Sequence, residues 1–355
     1  MEASAQSAWI VGLGHARTAA ARDDVNTTEL AWEAVSAALE DAGVELGEIE
    51  GSVSASQDFW EGRTISSMAI NEIAGGTLGS EAKVAADGVM ALIYAIARIE
   101  DGDQHLNLVV AHAKESQANP HDIEMAGFDP YFERALDPDE TVAAGLQASL
   151  FYARSGLGPE DAAQVVAAAR RRSTALPDVT PDVVLSSPPT AEPLRELDRA
   201  PRMDAATALV VCDTATAERL GGPRVRLVGG AARSGGWWTG RDLTRAPELA
   251  GAAQEALARA GWDAASLDRI ELNAPYAHQQ LMLAEELGLG AADAFEDGLT
   301  RSGGWLGGSA GTVAGLAAAA HAADALCSAG GRALVHGTTG ICGQSHAVVL
   351  LEGAS

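Results

Sequence analysis

Apolar residues in this chain follow two alternating rhythms. Ser7 to Leu13 form a short apolar run, which predicts a strand. Glu29 to Gly43, "ELAWEAVSAALEDAG", repeat apolar positions every three or four residues and stop at glycine, the pattern of an amphipathic helix with its C-terminal cap. From Glu81 to Ala113, "EAKVAADGVMALIYAIARIEDGDQHLNLVVAHA" predicts an extended segment, a small-residue turn at Ala85-Ala86-Asp87-Gly88, an apolar helix and another strand. Asp87 stands where a helix N-cap is wanted, because its carboxylate can accept an orphan backbone N–H; a catalytic role is the alternative.

The rhythm then repeats. "ELAGAAQEALARAG", Glu248 to Gly261, matches the first helix, and each of the two follows a strand of similar make-up, "AWIVGLGHART" and "VRLVGGAARS". The helix after Gly88 leads to "LNLVVAHA", and the helix after Gly311 leads to "RALVHGTTG". The chain therefore reads as a duplication with halves near 1–220 and 221–355. Alternating strands and helices imply a largely parallel α/β sheet covered on both faces, and two such halves sharing one core would build a five-layer αβαβα sandwich. Residues 115–200 form a less regular insertion with two helices and proline-broken loops, the kind of segment that carries substrate contacts on a rigid scaffold.

Composition narrows the partners. A formal net charge of -25 argues against nucleic acid and against insertion into an acidic membrane surface. Three cysteines without CxxC spacing offer no disulfide framework and no zinc site. The N-terminus lacks the basic start and apolar core of a secretory signal, and the run "GTVAGLAAAAHAADAL" is interrupted by His321 and Asp324 and reads as too short for a bilayer, so the expected location is the cytoplasm. Gly12-Leu13-Gly14 lacks the third glycine of a dinucleotide fingerprint, since Arg17 takes its place; NAD is rejected, and no metal-binding spacing occurs.

Several segments in order resemble the thiolase superfamily, above all its sterol-carrier-protein-x or lipid-transfer-protein branch. They are "ELAWEAVSAALEDAGVELGEIEG", "SSPPTAEPLRELDRAPRMDAATALVV", "IELNAPYAHQQLMLAEELGL" and "SGGWLGGSAGTVAG". The resemblance implies a thiolase-like fold, carbon–carbon bond chemistry beside a CoA thioester, CoA as part of the substrate, and no covalently bound cofactor. It also implies a homodimer or thiolase-like heterodimer, paired around "LNLVVAHA". Carried over by position, the family's nucleophilic cysteine falls on Ala85, its loop histidine on Ser309 and its second cysteine on Gly340, with Cys342 two residues on. Its Asn is kept as Asn273, and the motif's Phe is Tyr276.

A methyl group cannot carry an acyl chain, so ordinary cysteine-dependent thiolysis is excluded at Ala85. Some relatives without the nucleophile catalyse retro-aldol cleavage of a hydroxyacyl-CoA, as in steroid degradation, with a small OB-fold partner that often carries a zinc ribbon. For that chemistry Tyr276, His278 and His346 are candidates to move protons, and Asn273, Ser309 and N–H groups near Gly340 to hold the enolate. The alternatives are a catalytically silent subunit of a heteromer, and acyl transfer by a register-shifted Cys342. A lyase should keep a connected polar pocket around Ser309, Tyr276 and Asn273; a silent subunit should fill it. Each residue also has a structural reading: Tyr276 as a core ring, His278 as a surface or capping residue, His346 as a satisfied core histidine, Cys342 as a small buried filler. Arg170, Arg171 and Arg172 lie on a solvated helix face or meet CoA phosphates. Trp237 and Trp238 line an acyl site or cluster structurally.

Overall fold

The computed structural model describes residues 7–62, 64–76, 79–222, 224–294 and 299–354. Its strands are β1 (Ala8–His15), β2 (Gly51–Ala55), β3 (Ser80–Val84), β4 (Leu106–Lys114), β5 (Asp204–Cys212), β6 (Val225–Ser234), β7 (Arg269–Glu271), β8 (Arg332–Thr339) and β9 (Ser345–Gly353). Its helices are α1 (Thr27–Ala42), α2 (Asp58–Glu61), α3 (Gly88–Glu100), α4 (Pro120–Ala126), α5 (Glu140–Ser155), α6 (Pro159–Arg171), α7 (Pro181–Ser186), α8 (Thr214–Arg219), α9 (Pro247–Ala260), α10 (Ala277–Glu286) and α11 (Ala314–Ala329).

The strands join in the order β3-β2-β4-β5-β1-β6-β9-β8-β7. The run β2-β4-β5-β1 is mirrored by β7-β8-β9-β6, and the two runs meet where β1 and β6 pair over Ala8–Ile10 and Val225–Leu227. β2–β4 and β7–β8 are parallel, and the pairs that follow them are antiparallel.

Strand period explains the layers. Val109 and Ala111 of β4 face a central core with α3 and α11, while Leu108 and Val110 face α1 on the other side. In the second half Val349 and Leu351 of β9 face the same central helices, while Val348 and Leu350 face α9 and α10. The result is α1, half-sheet, α3 with α11, half-sheet, then α9 with α10: the five expected layers. Small side chains let the central helices meet. A Cβ on Gly88, the first residue of α3, would lie 2.6 Å from Leu316 Cβ of α11.

Three expectations need correction. The sheet is not largely parallel: among the described residues only the strand pairs β2–β3, β2–β4 and β7–β8 run in parallel, and the β1–β5, β1–β6, β4–β5, β6–β9 and β8–β9 pairings are antiparallel. "LNLVVAHA" is β4, hydrogen-bonded to β2 on one side and β5 on the other, so it has no free edge to offer a second subunit; the outer strand of the first half is β3. The alanine-rich run is also longer than read: Gly311–Ala329 makes 19 helical residues, long and apolar enough to cross a membrane by length and composition. It is instead a central helix of the fold, its Leu316, Ala319 and Ala323 fully or almost fully buried.

Candidate active site

The turn before α3 organises one end of the central layer. Asp87 is its N-cap: Oδ1 accepts from Val89 N–H at 2.8 Å, and Oδ2 accepts from Gly315 N–H of α11 at 3.0 Å. The carboxylate fits because Gly315 and Gly337 have no side chains; a Cβ on either would fall about 2 Å from Asp87 Oδ1. The Asp87 N–H donates to Thr339 Oγ1 at 2.9 Å, tying the turn to the end of β8. Burial pushes the Asp87 carboxyl up to about 7. Ala85, the first residue of the turn, is exposed.

Asp87 lines a cavity of about 100 Å³ closed by the ends of β4 and β8, the segment before α11 and the insertion. Glu115 follows β4 and is 8% exposed; its carboxylate accepts from Gly311 N–H. Burial drives Glu115 up to about 7, against the pull of Arg202 and Arg199. Glu61 of α2 and His112 of β4 form a buried pair, Nδ1 to Oε1 at 3.1 Å, and among the described residues His112 Nε2 has no partner. Glu124 of α4 is ion-paired to both Arg199 and Arg202, and Arg202 lies over the Trp60 ring, 4.4 Å from its centroid. Glu140, in the same ion cluster, is pushed up to about 7 by burial and by Glu124. Trp305, Thr312 and Thr338 complete the wall.

Most of the residues singled out from sequence lie elsewhere. Tyr276 N-caps α10, is 2% exposed and shares a 3.1 Å hydrogen bond with Thr141 Oγ1; burial raises its phenol well above the usual range. His278 is fully buried rather than at the surface, its Nε2 3.2 Å from Gln147 Oε1 of α5, and burial lowers it to about 3. Asn273 donates through Nδ2 to the His336 carbonyl at 2.8 Å. His346 shares a 2.9 Å bond with His336, and burial lowers it to about 4. Ser309 faces a second cavity of about 330 Å³ beside His15 and His321, because the glycine-rich loop turns Gly311 and Thr312, not Ser309, toward Asp87. Ser309, Tyr276 and Asn273 therefore share no pocket. Gly340 does line the first cavity.

Cys342 is buried with Phe128, Ala143, Leu243 and Ile341, and burial pushes its thiol up to about 12, so it is protonated near neutral pH. Trp238 packs edge-on against Phe128 in that cluster, and Trp237 Nε1 donates to Glu133 at 2.7 Å. The three arginines part company around the end of α6. Arg170 is buried, Arg171 is exposed, and Arg172 donates to the Leu299 carbonyl at 2.9 Å, so they present no common patch for phosphates.

Sequence reasoning missed Glu61, His112, Glu115, Glu140, Arg199 and Arg202. One signal was visible: "HAKE" places three ionisable residues at the end of an otherwise apolar buried strand.

No protein-family model matches the chain. A curated acetyl-CoA acetyltransferase from Methanothermobacter thermautotrophicus is 28% identical over 305 residues, which cover 78% of this chain and 77% of that protein. Among solved structures, the Ltp2-ChsH2(DUF35) aldolase superposes with a TM-score of 0.79 at 21% identity, covering 98% of each chain. The SCP2-thiolase-like protein type 1 of Mycobacterium smegmatis gives 0.79 at 20% identity, over 99% of this chain and 78% of that one. Human mitochondrial 3-ketoacyl-CoA thiolase gives 0.78 at 15% identity, over 99% and 100%. At these identities the structural likeness establishes the fold.

Proposed function

From the thiolase fold that its structural neighbours share, we propose that this chain is a member of the thiolase superfamily that cleaves a carbon–carbon bond of a hydroxyacyl-CoA by a retro-aldol route, without an acyl-enzyme. The observation that carries this reading is the contrast at one turn. Ala85 offers no nucleophile, while Asp87, two residues on, lines a cavity with other ionisable groups. Retro-aldol cleavage needs only a base for the substrate hydroxyl and donors for the enolate oxygen. The cavity offers the first among Asp87, Glu115, Glu140 and the Glu61–His112 pair, and the second from the Thr339 hydroxyl and the backbone at Gly340, the hydroxyls of Thr312 and Thr338 being spent on backbone carbonyls. The aldolase among the structural neighbours supports the choice of reaction.

A separate OB-fold protein is the partner this reading calls for. An apolar stripe on α5, Val142, Leu146 and Leu150, is 43–53% exposed, and Tyr131, Phe132 and Leu136 precede it at more than 80% exposed. Asp129, Glu133, Asp137 and Asp139 lie in the same stretch. With a net charge of -25, that acidic setting disfavours a second copy of the chain on this face and favours a basic-rimmed partner. A dimer through the β3 edge is compatible with it.

The silent-subunit reading has two observations in its favour: Ser309, Tyr276 and Asn273 share no connected pocket, and about 100 Å³ is small beside the roughly 300–1,000 Å³ usual for ligand sites. Recovery of the native complex and its assay on β-hydroxyacyl-CoA thioesters separates the two. The lyase reading predicts a ketone or aldehyde plus a shortened acyl-CoA, with turnover lost when this chain is omitted. Full turnover by a partner thiolase alone would establish the silent reading instead.

A further inference from the structure

Resting on the retro-aldol reading, we infer that Glu115 is the general base of the reaction, its carboxylate filling the place beside the glycine-rich loop that a loop side chain would otherwise hold. A Cβ built on Gly311 would fall 2.5 Å from Glu115 Oε1. The loop therefore presents bare backbone to the cavity at this point, and a carboxylate from the end of β4 occupies the space. The Gly311 N–H donates to that carboxylate and fixes its position.

Asp87 and Glu61 of the wall are committed to neighbours, which leaves His112 and Glu140 as the groups that compete with Glu115. Both oxygens of Asp87 are taken by helix N–H groups. Glu61 is shared between His112 and Thr27, while His112 Nε2 is buried without a partner among the described residues. Glu140 lies in the field of Arg199 and Arg202, and the neighbouring Glu124 charge opposes its ionisation. Tyr276 faces Thr141 in a separate apolar cluster.

The step balances as follows. Glu115 takes the proton of the β-hydroxyl; the O–H electron pair becomes the new C=O bond. The Cα–Cβ bond breaks, and its pair passes to the thioester as an enolate. Glu115 then returns the proton to Cα, leaving a carbonyl product and a shortened acyl-CoA. Arg199, Arg202, Glu140, Asp87 and the Glu61–His112 pair are the charged and titratable groups facing this carboxylate. The active form is the carboxylate, so turnover should rise with pH and level off above about 7.

The test uses the complex with its partner and a β-hydroxyacyl-CoA that the wild-type complex cleaves. Glu115→Gln should lower kcat by about 10²–10⁴-fold with KM within about threefold and an undiminished thermal midpoint. Glu115→Asp should recover part of the rate and shift the pH profile. Gly311→Ala, which pushes a methyl against Oε1, should lower kcat by about tenfold or more even if the Gln variant folds poorly. Glu115→Gln turning over within about fivefold of wild type, with the same pH profile, would remove Glu115 while leaving the lyase reading intact. Absence of cleavage by the wild-type complex would remove both.

Discussion

The two central helices begin alike in topology and unlike in chemistry. α3 opens on a turn with its own cap, Asp87, whereas α11 opens at Val313 with no side-chain cap of its own. The second oxygen of Asp87 supplies an acceptor to α11 from the other half of the chain. One carboxylate thus serves two helix starts, and the glycines opposite it, Gly315 and Gly337, exist to admit it. The turn at Ala85-Ala86-Asp87-Gly88 carries no thiol, and its shape is held by capping. The constraint on this turn is capping at position 87.

The comparison breaks most severely at Asp87. Asp87→Ala would leave Val89 and Gly315 N–H groups buried without acceptors, and unfolding free energy should fall by about 2–4 kcal/mol, read by denaturant titration. A smaller effect follows from pH. Asp87 and Glu115 are both raised to about 7 in the folded protein, above their usual unfolded values, so each favours folding most when protonated. The stability these two groups contribute should be full below about pH 4 and be lost as pH climbs to about 7. Glu115→Gln should flatten that slope in a series of thermal melts. The smallest effect is expected at Cys342, whose thiol is buried and protonated. Cys342→Ala should change turnover by less than about twofold, and iodoacetamide should leave activity unchanged; a large loss in either would revive acyl transfer at that residue.

Much of the fold could be read from apolar spacing, because every buried strand and helix declares its period. Glycines that hinted at a nucleotide fingerprint proved to be packing positions: a Cβ on Gly12 or Gly14 would meet the carbonyls of Ala38 and Ala34 in α1 at 2.3 and 2.0 Å. The site was less legible. Spacing finds His278 at the start of a helix but cannot tell that its ring turns under α5 toward Gln147. Alignment of the glycine-rich loop picks out Ser309, yet the loop's bend turns Gly311 and Thr312 inward. Arg199 and Arg202 come from the segment before β5, and their meeting with Glu124 and Trp60 depends on how the insertion folds back, which no local pattern encodes. Of the "HAKE" charges, Lys114 is structural, bound to Asp204 and the Arg22 carbonyl, which leaves His112 and Glu115 on the cavity wall.

Intact-protein mass spectrometry during turnover of a β-hydroxyacyl-CoA by the assembled complex tests the central claim most directly. Carbonyl product and shortened acyl-CoA should accumulate while the mass of this chain stays unmodified throughout. An acyl adduct that forms and decays at the rate of turnover would contradict cleavage without a covalent intermediate.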